Sequence, residues 1–394
     1  MLEALPTNNV VQIAVCLGLT ALVGLATWLT IRRASHDGSK KDVFLAGGGL
    51  NWVFVAGAIT LTNLSTDQLV GMNGNQMALL AWWEIAGFAG LLILAFVFVP
   101  IYYRNNCTTV TELLEIRYGV RAIRTLISAL FLFGNILIYL PAVLYSGGTF
   151  MQALFGDNLP VLFFAAILAV VASAYTIFGG LRAVAVMDTY SGVGILGLAL
   201  LIVFLGLAAI DFDLSGVPAE RLTMIGSPDS PIPFHTLFTG MIFIQIFYWS
   251  TNQNLTQRAM AAPTIKEAQK GVMAAAIIRI LIVPPIVVIP GIVAYQLFGD
   301  VGDAAYGKLI ATVLPPWLSG AFAAMVAAAV ITTFSAVLNS SVALYSVDFH
   351  EQFVGEVKDH WTLAAAVSVL LTITSIALVT VYIAASQADP EDFS

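Results

Sequence analysis

Of the 394 residues, 59% are hydrophobic and 10% charged, against about 45–50% and about 25% in an ordinary soluble domain, which excludes a water-soluble enzyme. The net charge of −7, from 16 basic and 23 acidic residues, supplies no basic stripe and excludes nucleic acid as a partner. The two cysteines, Cys16 and Cys107, have no CxxC spacing, so disulfide frameworks and zinc chemistry drop out and no cofactor is implied.

At roughly 20 apolar residues per crossing of a bilayer, this length gives about ten transmembrane helices and one membrane domain surrounded by lipid. In chain order the apolar runs fall at 9–31, 51–72, 77–103, 122–155, 159–178, 184–210, 235–256, 268–298, 317–347 and 362–385. The first is followed by Arg32, Arg33, Lys40 and Lys41, which reads as a retained helix rather than a cleaved signal peptide. With the segment after it inside, 13 of the 16 basic residues lie in inner loops. Two, Arg221 and Lys308, lie outside, and Arg279 falls within a span. This asymmetry predicts an outside N-terminus.

Two spans are unlike plain lipid-facing helices. The second carries Thr60, Thr62, Asn63, Ser65, Thr66, Asp67 and Gln68, and the seventh carries Gln245, Tyr248, Trp249, Ser250, Thr251, Asn252, Gln253 and Asn254. Unpaired polar groups cost several kcal/mol each in hydrocarbon, so such clusters persist where they face a cavity or other protein. With the first helix set aside, they fall on core helices one and six. Broken helices in corresponding positions of two five-helix repeats point to a transporter with a midplane site; tightly packed polar contact between helices is the plainer alternative. The ninth span sets Ala329, Thr332 and Thr333 at i, i+3 and i+4, one carbonyl and two hydroxyls on a shared face. A hard cation such as sodium takes oxygen ligands of this kind, whereas Thr pairs in membrane helices ordinarily bond back to their own backbone.

Phe44-Leu45-Ala46-Gly47, Asn63-Leu64-Ser65 with Gln68 and Gly71-Met72, Trp83-Glu84, Phe178-Gly179-Gly180-Leu181 with Asp188, Tyr248-Trp249 with Asn252-Gln253, Gln257-Arg258, Glu267-Ala268-Gln269-Lys270-Gly271 and Leu338-Asn339-Ser340 give the chain its likeness. In their order and spacing from Asp42 to Asp348 it resembles the sodium:solute symporter family, in particular the sodium/sugar branch. The resemblance implies an all-α integral membrane protein with the LeuT-type inverted repeat. Residues 1–35 would be an extra N-terminal helix, 51–210 repeat one with five helices, and 235–386 repeat two with four. Core helix ten finds no counterpart before the polar residues 388–394, so a fragment, a short form, or a last helix supplied from elsewhere is expected.

The resemblance further implies a sodium site made by the backbone carbonyls of Leu61, Leu64 and Ala329 with the hydroxyls of Thr332 and Thr333. A second sodium at Asp188 and Ser335 stays open, since Ala336 stands where a further hydroxyl is found and Asp188 suits a salt bridge or helix cap equally well. The solute positions implied are Asn63, Gln68, Glu84, Gln245, Tyr248, Trp249, Asn252 and Arg279. A sugar needs bidentate hydrogen-bonding groups and an aromatic platform, and this set holds both. Glu84 and Arg279 are costly in a bilayer unless paired or hydrated, so an inter-helix ion pair is their plainer reading.

Gln245 and Arg279 stand where close bacterial sugar transporters look like Asn and Lys, and Arg is a planar fork rather than a point charge. The expectation is therefore a sodium-coupled symporter for a sugar or polyol such as glucose, galactose or inositol, in the cell membrane. An organic anion or sugar acid is the alternative cargo, and a non-transporting solute sensor the alternative class. No His/Asp/Glu cluster has catalytic spacing; His36, His235, His350 and His360 fall in loops or at span ends. Pro284, Pro285 and Pro290 predict a kinked eighth span.

Overall fold

A computed structural model describes residues 7–32, 39–155, 159–357 and 359–387. His36, Arg33, Lys358 and the polar residues 388–394 lie outside the described residues. Among those described, every regular element is helical. Helix α1 is Thr7–Ile31. Broken core helix one consists of α2, Trp52–Asn63, and α3, Thr66–Gly74. There follow α4, Ala78–Arg104, α5, Arg121–Gln152, and α6, Val161–Ala209. Broken core helix six is α7, Gly240–Ile246, widening into a π turn over Phe247–Thr251, then α8, Gln253–Met260. The chain continues as α9, Ile265–Phe298, α10, Pro316–Phe353, and α11, His360–Ala385.

Seven of these, α1, α4, α5, α6, α9, α10 and α11, are long and apolar enough to cross a membrane. An eighth is added if the short helix Lys40–Gly48 and α2, which meet at 107°, count as one span. The fifth and sixth apolar runs join in the single α6, bent at Gly180, whose φ of 54° and ψ of −158° belong to a region open essentially to glycine alone. The polar clusters cut the two broken helices into pieces too short to span singly.

Helix α10 is the axis of the molecule. Its sequence from Ser319 to Ala343 is mostly Ala, Ser, Thr, Gly and Val, and every residue of that stretch is buried. Without a hydrophobic force between helices in lipid, small side chains that let backbones approach are what make such packing favourable. Helices α1, α6 and α2 all contact it. The periphery is the reverse, with Leu17, Phe163, Val170, Val193, Leu370 and Ile373 exposed, as a lipid-facing surface requires. Both cysteines are buried and unpaired. In the loop after α4, burial pushes the Cys107 thiol up to about 12, so it stays protonated at neutral pH.

Candidate functional site

Helix α2 stops because Leu64 (φ −87°, ψ 69°) and Ser65 (φ −112°, ψ −177°) leave the helical region. Leu64 N–H still reaches Thr60 O at 3.3 Å, but the last carbonyls of a helix have no intrahelical donors. Here that end is buried: Leu61 and Leu64 are almost wholly inaccessible. Core helix six breaks at Asn252, in extended conformation, whose side chain accepts from Asn254 N–H at 2.9 Å and so caps α8. Asn252 is placed as a cap, apart from the other predicted solute residues.

Those others converge on one network, buried at Glu84, Gln245, Trp249 and Arg279 and half-buried at Asn63, Gln68 and Tyr248. Arg279 on α9 is fully buried and forms a 2.7 Å ion pair with Glu84 on α4. Its second nitrogen donates to Thr60 O at 3.0 Å, and Nη2 lies 3.4 Å from Gln68 Oε1. Gln68 donates to the other Glu84 oxygen. The guanidinium lies 4.5 Å above the Trp249 ring. Trp249 donates to Gln245 Oε1 at 2.8 Å, and Gln245 Nε2 to Trp83 O at 3.1 Å. Tyr248 donates its hydroxyl to Asn63 Oδ1, tying the π turn of core helix six to the end of α2. Gly90 makes this crossing close: a Cβ there would sit 2.5 Å from Gln245 O. The pairing of Glu84 with Arg279 is what lets two charges stay inside a membrane protein, because either one left alone would face the full desolvation cost.

On α10, Ala329, Thr332 and Thr333 are all buried. Thr332 donates to Ala329 O at 3.2 Å, the backbone return that the sequence allows for, and it keeps the hydroxyl lone pairs free to accept. Thr333 Oγ1 is buried with no hydrogen-bond partner, as are Thr60 Oγ1 and Ser65 Oγ at the broken helix. Orphaned hydroxyls are rare in protein interiors and require a physical cause. The second-sodium candidates Asp188 and Ser335 each have a partner within the fold. Ser335 donates to Ala172 O on α6 at 2.8 Å, and Asp188, fully buried, lies 3.6 Å from Arg258 of α8. Of the two sequence readings of Asp188, the salt bridge is the arrangement present.

Arg258, counted with the inner-loop basic residues and part of the Gln257-Arg258 stretch, is instead fully buried on α8. The signal for a buried role is its place a few residues beyond the second break. Sequence reasoning gave no role to a cluster where α5 begins and α10 ends. There Asp348 accepts from Arg124 Nε at 2.7 Å, Thr109 at 3.0 Å, Thr111 and Ser128. Arg124 also holds Glu115 at 2.9 Å, and Lys40 bridges Glu112 at 3.2 Å and Glu351 at 3.4 Å. Thr109-x-x-Glu112 is a capping box at the start of the helix Val110–Tyr118, which was readable in the sequence.

The family model described as the sodium:solute symporter family matches residues 43–389. The chain belongs to the sodium:solute symporter family. Among members, it is 36% identical over 370 residues to the uncharacterized symporter YidK of Escherichia coli, covering 88% of this chain and 64% of that one. It is 28% identical to the sodium/glucose cotransporter of Vibrio parahaemolyticus, covering 84% and 67%. It is 29% identical to sodium/myo-inositol cotransporter 2 of mouse, covering 88% and 58%. The chain thus spans less than two thirds of the length of most of these relatives. A solved structure of a Na+-coupled sialic acid symporter superposes with a TM-score of 0.84 at 18% identity, over 96% of this chain and 83% of that one. That likeness fixes the fold of this family member as the all-helical arrangement expected.

Proposed function

We propose that the protein is a sodium-coupled secondary active symporter for a small neutral polar solute, a sugar or polyol. The observation carrying the reading is the orphaned hydroxyl of Thr333 on a buried helix that packs against α2, the first half of the broken helix. An oxygen kept dry and unpartnered is a group waiting for a cation, and the open carbonyls of Leu61 and Leu64, with Ala329 O and Thr332, are the hard ligands sodium takes. Sodium is cargo here, and no resident cofactor enters.

Asn63, Gln68, Glu84, Gln245, Tyr248, Trp249 and Arg279 supply the amide, charged and aromatic groups that recognise hydroxyls and a ring face. The 2.7 Å pairing of Arg279 with Glu84 favours a neutral solute over an anion. A carboxylate cargo has to compete with Glu84 for the guanidinium and leaves Glu84 buried and unpaired. The relatives named for glucose and myo-inositol support the same class.

In the cycle, sodium enters first from outside, draws the oxygens of the break together and orders residues 62–65. Asn63 and Gln68, on either side of the break, are then held for solute. Rocking of the broken helices with α4 and α9 against α10 exposes the site inward. One sodium moving down about 100 mV yields ~2.3 kcal/mol, and a tenfold gradient adds about 1.4 kcal/mol, enough for a solute gradient of several hundredfold. The inward-lying basic loops support residence in the cell membrane with the N-terminus outside.

The test is uptake of labelled glucose, galactose and myo-inositol into proteoliposomes under a sodium gradient or an equal potassium gradient. Accumulation of one of them with sodium alone, lost in Thr333→Ala, is expected. Flux indifferent to sodium overturns the proposal.

A further inference from the structure

Helix α9 contains three prolines that each remove a backbone donor. Pro284 and Pro285 leave the carbonyls of Ile280 and Leu281 without their ladder partners, and Pro290 does the same to Ile286. The helix is interrupted for a single residue at Ile282, between Leu281 and Val283, and Ile282 N–H still donates to Ile278 O at 2.8 Å. The third vacancy is filled from another element. Asn73, fully buried on α3, donates Nδ2 to Ile286 O at 3.3 Å and to Leu69 O at 2.7 Å, and accepts Gly291 N–H on Oδ1 at 2.8 Å.

Gly291 makes room for this, since a Cβ there would lie 2.2 Å from Asn73 O. One turn on, the pattern recurs. Gln76, buried and held in the left-handed region at φ 54°, donates to Gly299 O at 3.1 Å and accepts Val301 N–H at 3.3 Å. Two side-chain amides thus each donate to and accept from the same stretch of backbone. A side-chain amide carries its donor and its acceptor on separate atoms of one rigid plane, so it can do both at once.

We propose that Asn73 and Gln76 splice the second half of broken core helix one to residues 283–301, making one arm that pivots at Ile282 and carries the ordering of the break by sodium to the second half of α9. Gln68 and Arg279 mark the near end of the same pair of elements, 3.4 Å apart. The arm therefore has a contact at the solute network and two beyond it. The Asn73 and Gln76 contacts, made to backbone atoms at two heights of the same segment, resist both sliding and twisting. The sodium part of this proposal rests on the reading under Proposed function; the splice itself does not.

The experiment is hydrogen exchange by mass spectrometry on the full chain, in sodium chloride and in equal potassium chloride, for wild type, an Asn73→Ala/Gln76→Ala double variant and Gly291→Ala. In potassium, exchange over 286–301 is expected to be about tenfold faster in the double variant, the scale of a lost hydrogen bond or two, with 319–343 on α10 unchanged. In sodium, wild type is expected to slow over both 60–68 and 283–301 with one midpoint. Both variants are expected to retain the response at 60–68 and lose it at 283–301. Gly291→Ala reaches the same result by pushing the elements apart without removing either amide. Unchanged exchange over 286–301 in potassium, or acceleration that extends equally to 319–343, overturns the splice. So does a double variant whose 283–301 segment still follows sodium. A wild type without any sodium response at 60–68 overturns the sodium reading, and the potassium comparison then decides the splice by itself.

Discussion

Thr333 carries a hydroxyl with no hydrogen-bond partner among the described residues. A buried donor and acceptor left unsatisfied costs on the order of 1–3 kcal/mol, so the residue lowers stability unless a ligand completes it. This gives a test with opposite signs for folding and binding. Thr333→Val keeps the branched shape and removes the oxygen, so the thermal midpoint in potassium is expected to hold or rise. The upward shift that sodium gives wild type is expected to vanish, because a ligand stabilises only in proportion to its binding to the native state. Thr333→Ser, which restores the oxygen, is expected to recover most of that shift. A midpoint that falls in potassium, with the sodium shift intact, makes Thr333 a packing residue. Thr332 offers a useful contrast, since its bond to Ala329 O gives it a structural duty that its neighbour lacks.

At the level of elements, Gly180 shows what a single backbone position does for a helix pair. Its φ of 54° and ψ of −158° turn α6 between its two membrane-length halves. A Cβ there would meet Val43 O at 3.3 Å and the Trp361 ring at 3.1 Å. Gly180→Ala is expected to cost about 1–3 kcal/mol, the range for a residue forced into such a region, read as a fall in thermal midpoint in detergent, while Gly197→Ala on the same helix, with open space around it, leaves the midpoint in place. Both breaks in core helices one and six were legible because a cluster of polar side chains inside an apolar run is too costly to leave facing lipid, and Asn63, Gln68, Glu84, Gln245, Tyr248 and Arg279 stand out for the same reason. The bond of Ser335 to the Ala172 carbonyl was not legible, because a hydroxyl on a buried helix has several directions to face and a backbone acceptor carries no sequence signal. Asn73 and Gln76 were passed over on that account too: their partners are backbone atoms more than two hundred residues away. The pairing of Asp188 with Arg258 is likewise non-local, and neither charge announces the other.

Across the whole molecule, the orphaned oxygens near the break and the solute network share one element. Thr60 gives its carbonyl to Arg279, while its own hydroxyl lies among the unpartnered groups, and Asn63 is three residues further along. In the cycle proposed above, ordering residues 60–65 by sodium would also order the groups proposed to face the solute, so the two ligands would not act independently. Linkage then makes a strict demand: if sodium raises solute affinity by some factor, solute must raise sodium affinity by the same factor. A coupling of 1–3 kcal/mol corresponds to about 5–150-fold. Measuring the solute dissociation constant in sodium and in potassium, and the sodium midpoint with and without saturating solute, is expected to give equal ratios within that range in wild type. Tyr248→Phe removes the bond to Asn63 that joins the two breaks. It is expected to shrink both ratios together while leaving the sodium midpoint of the solute-free protein unchanged. Equal affinities in sodium and potassium, with sodium still binding, would leave the ion as a structural ligand and break the link between the breaks and transport.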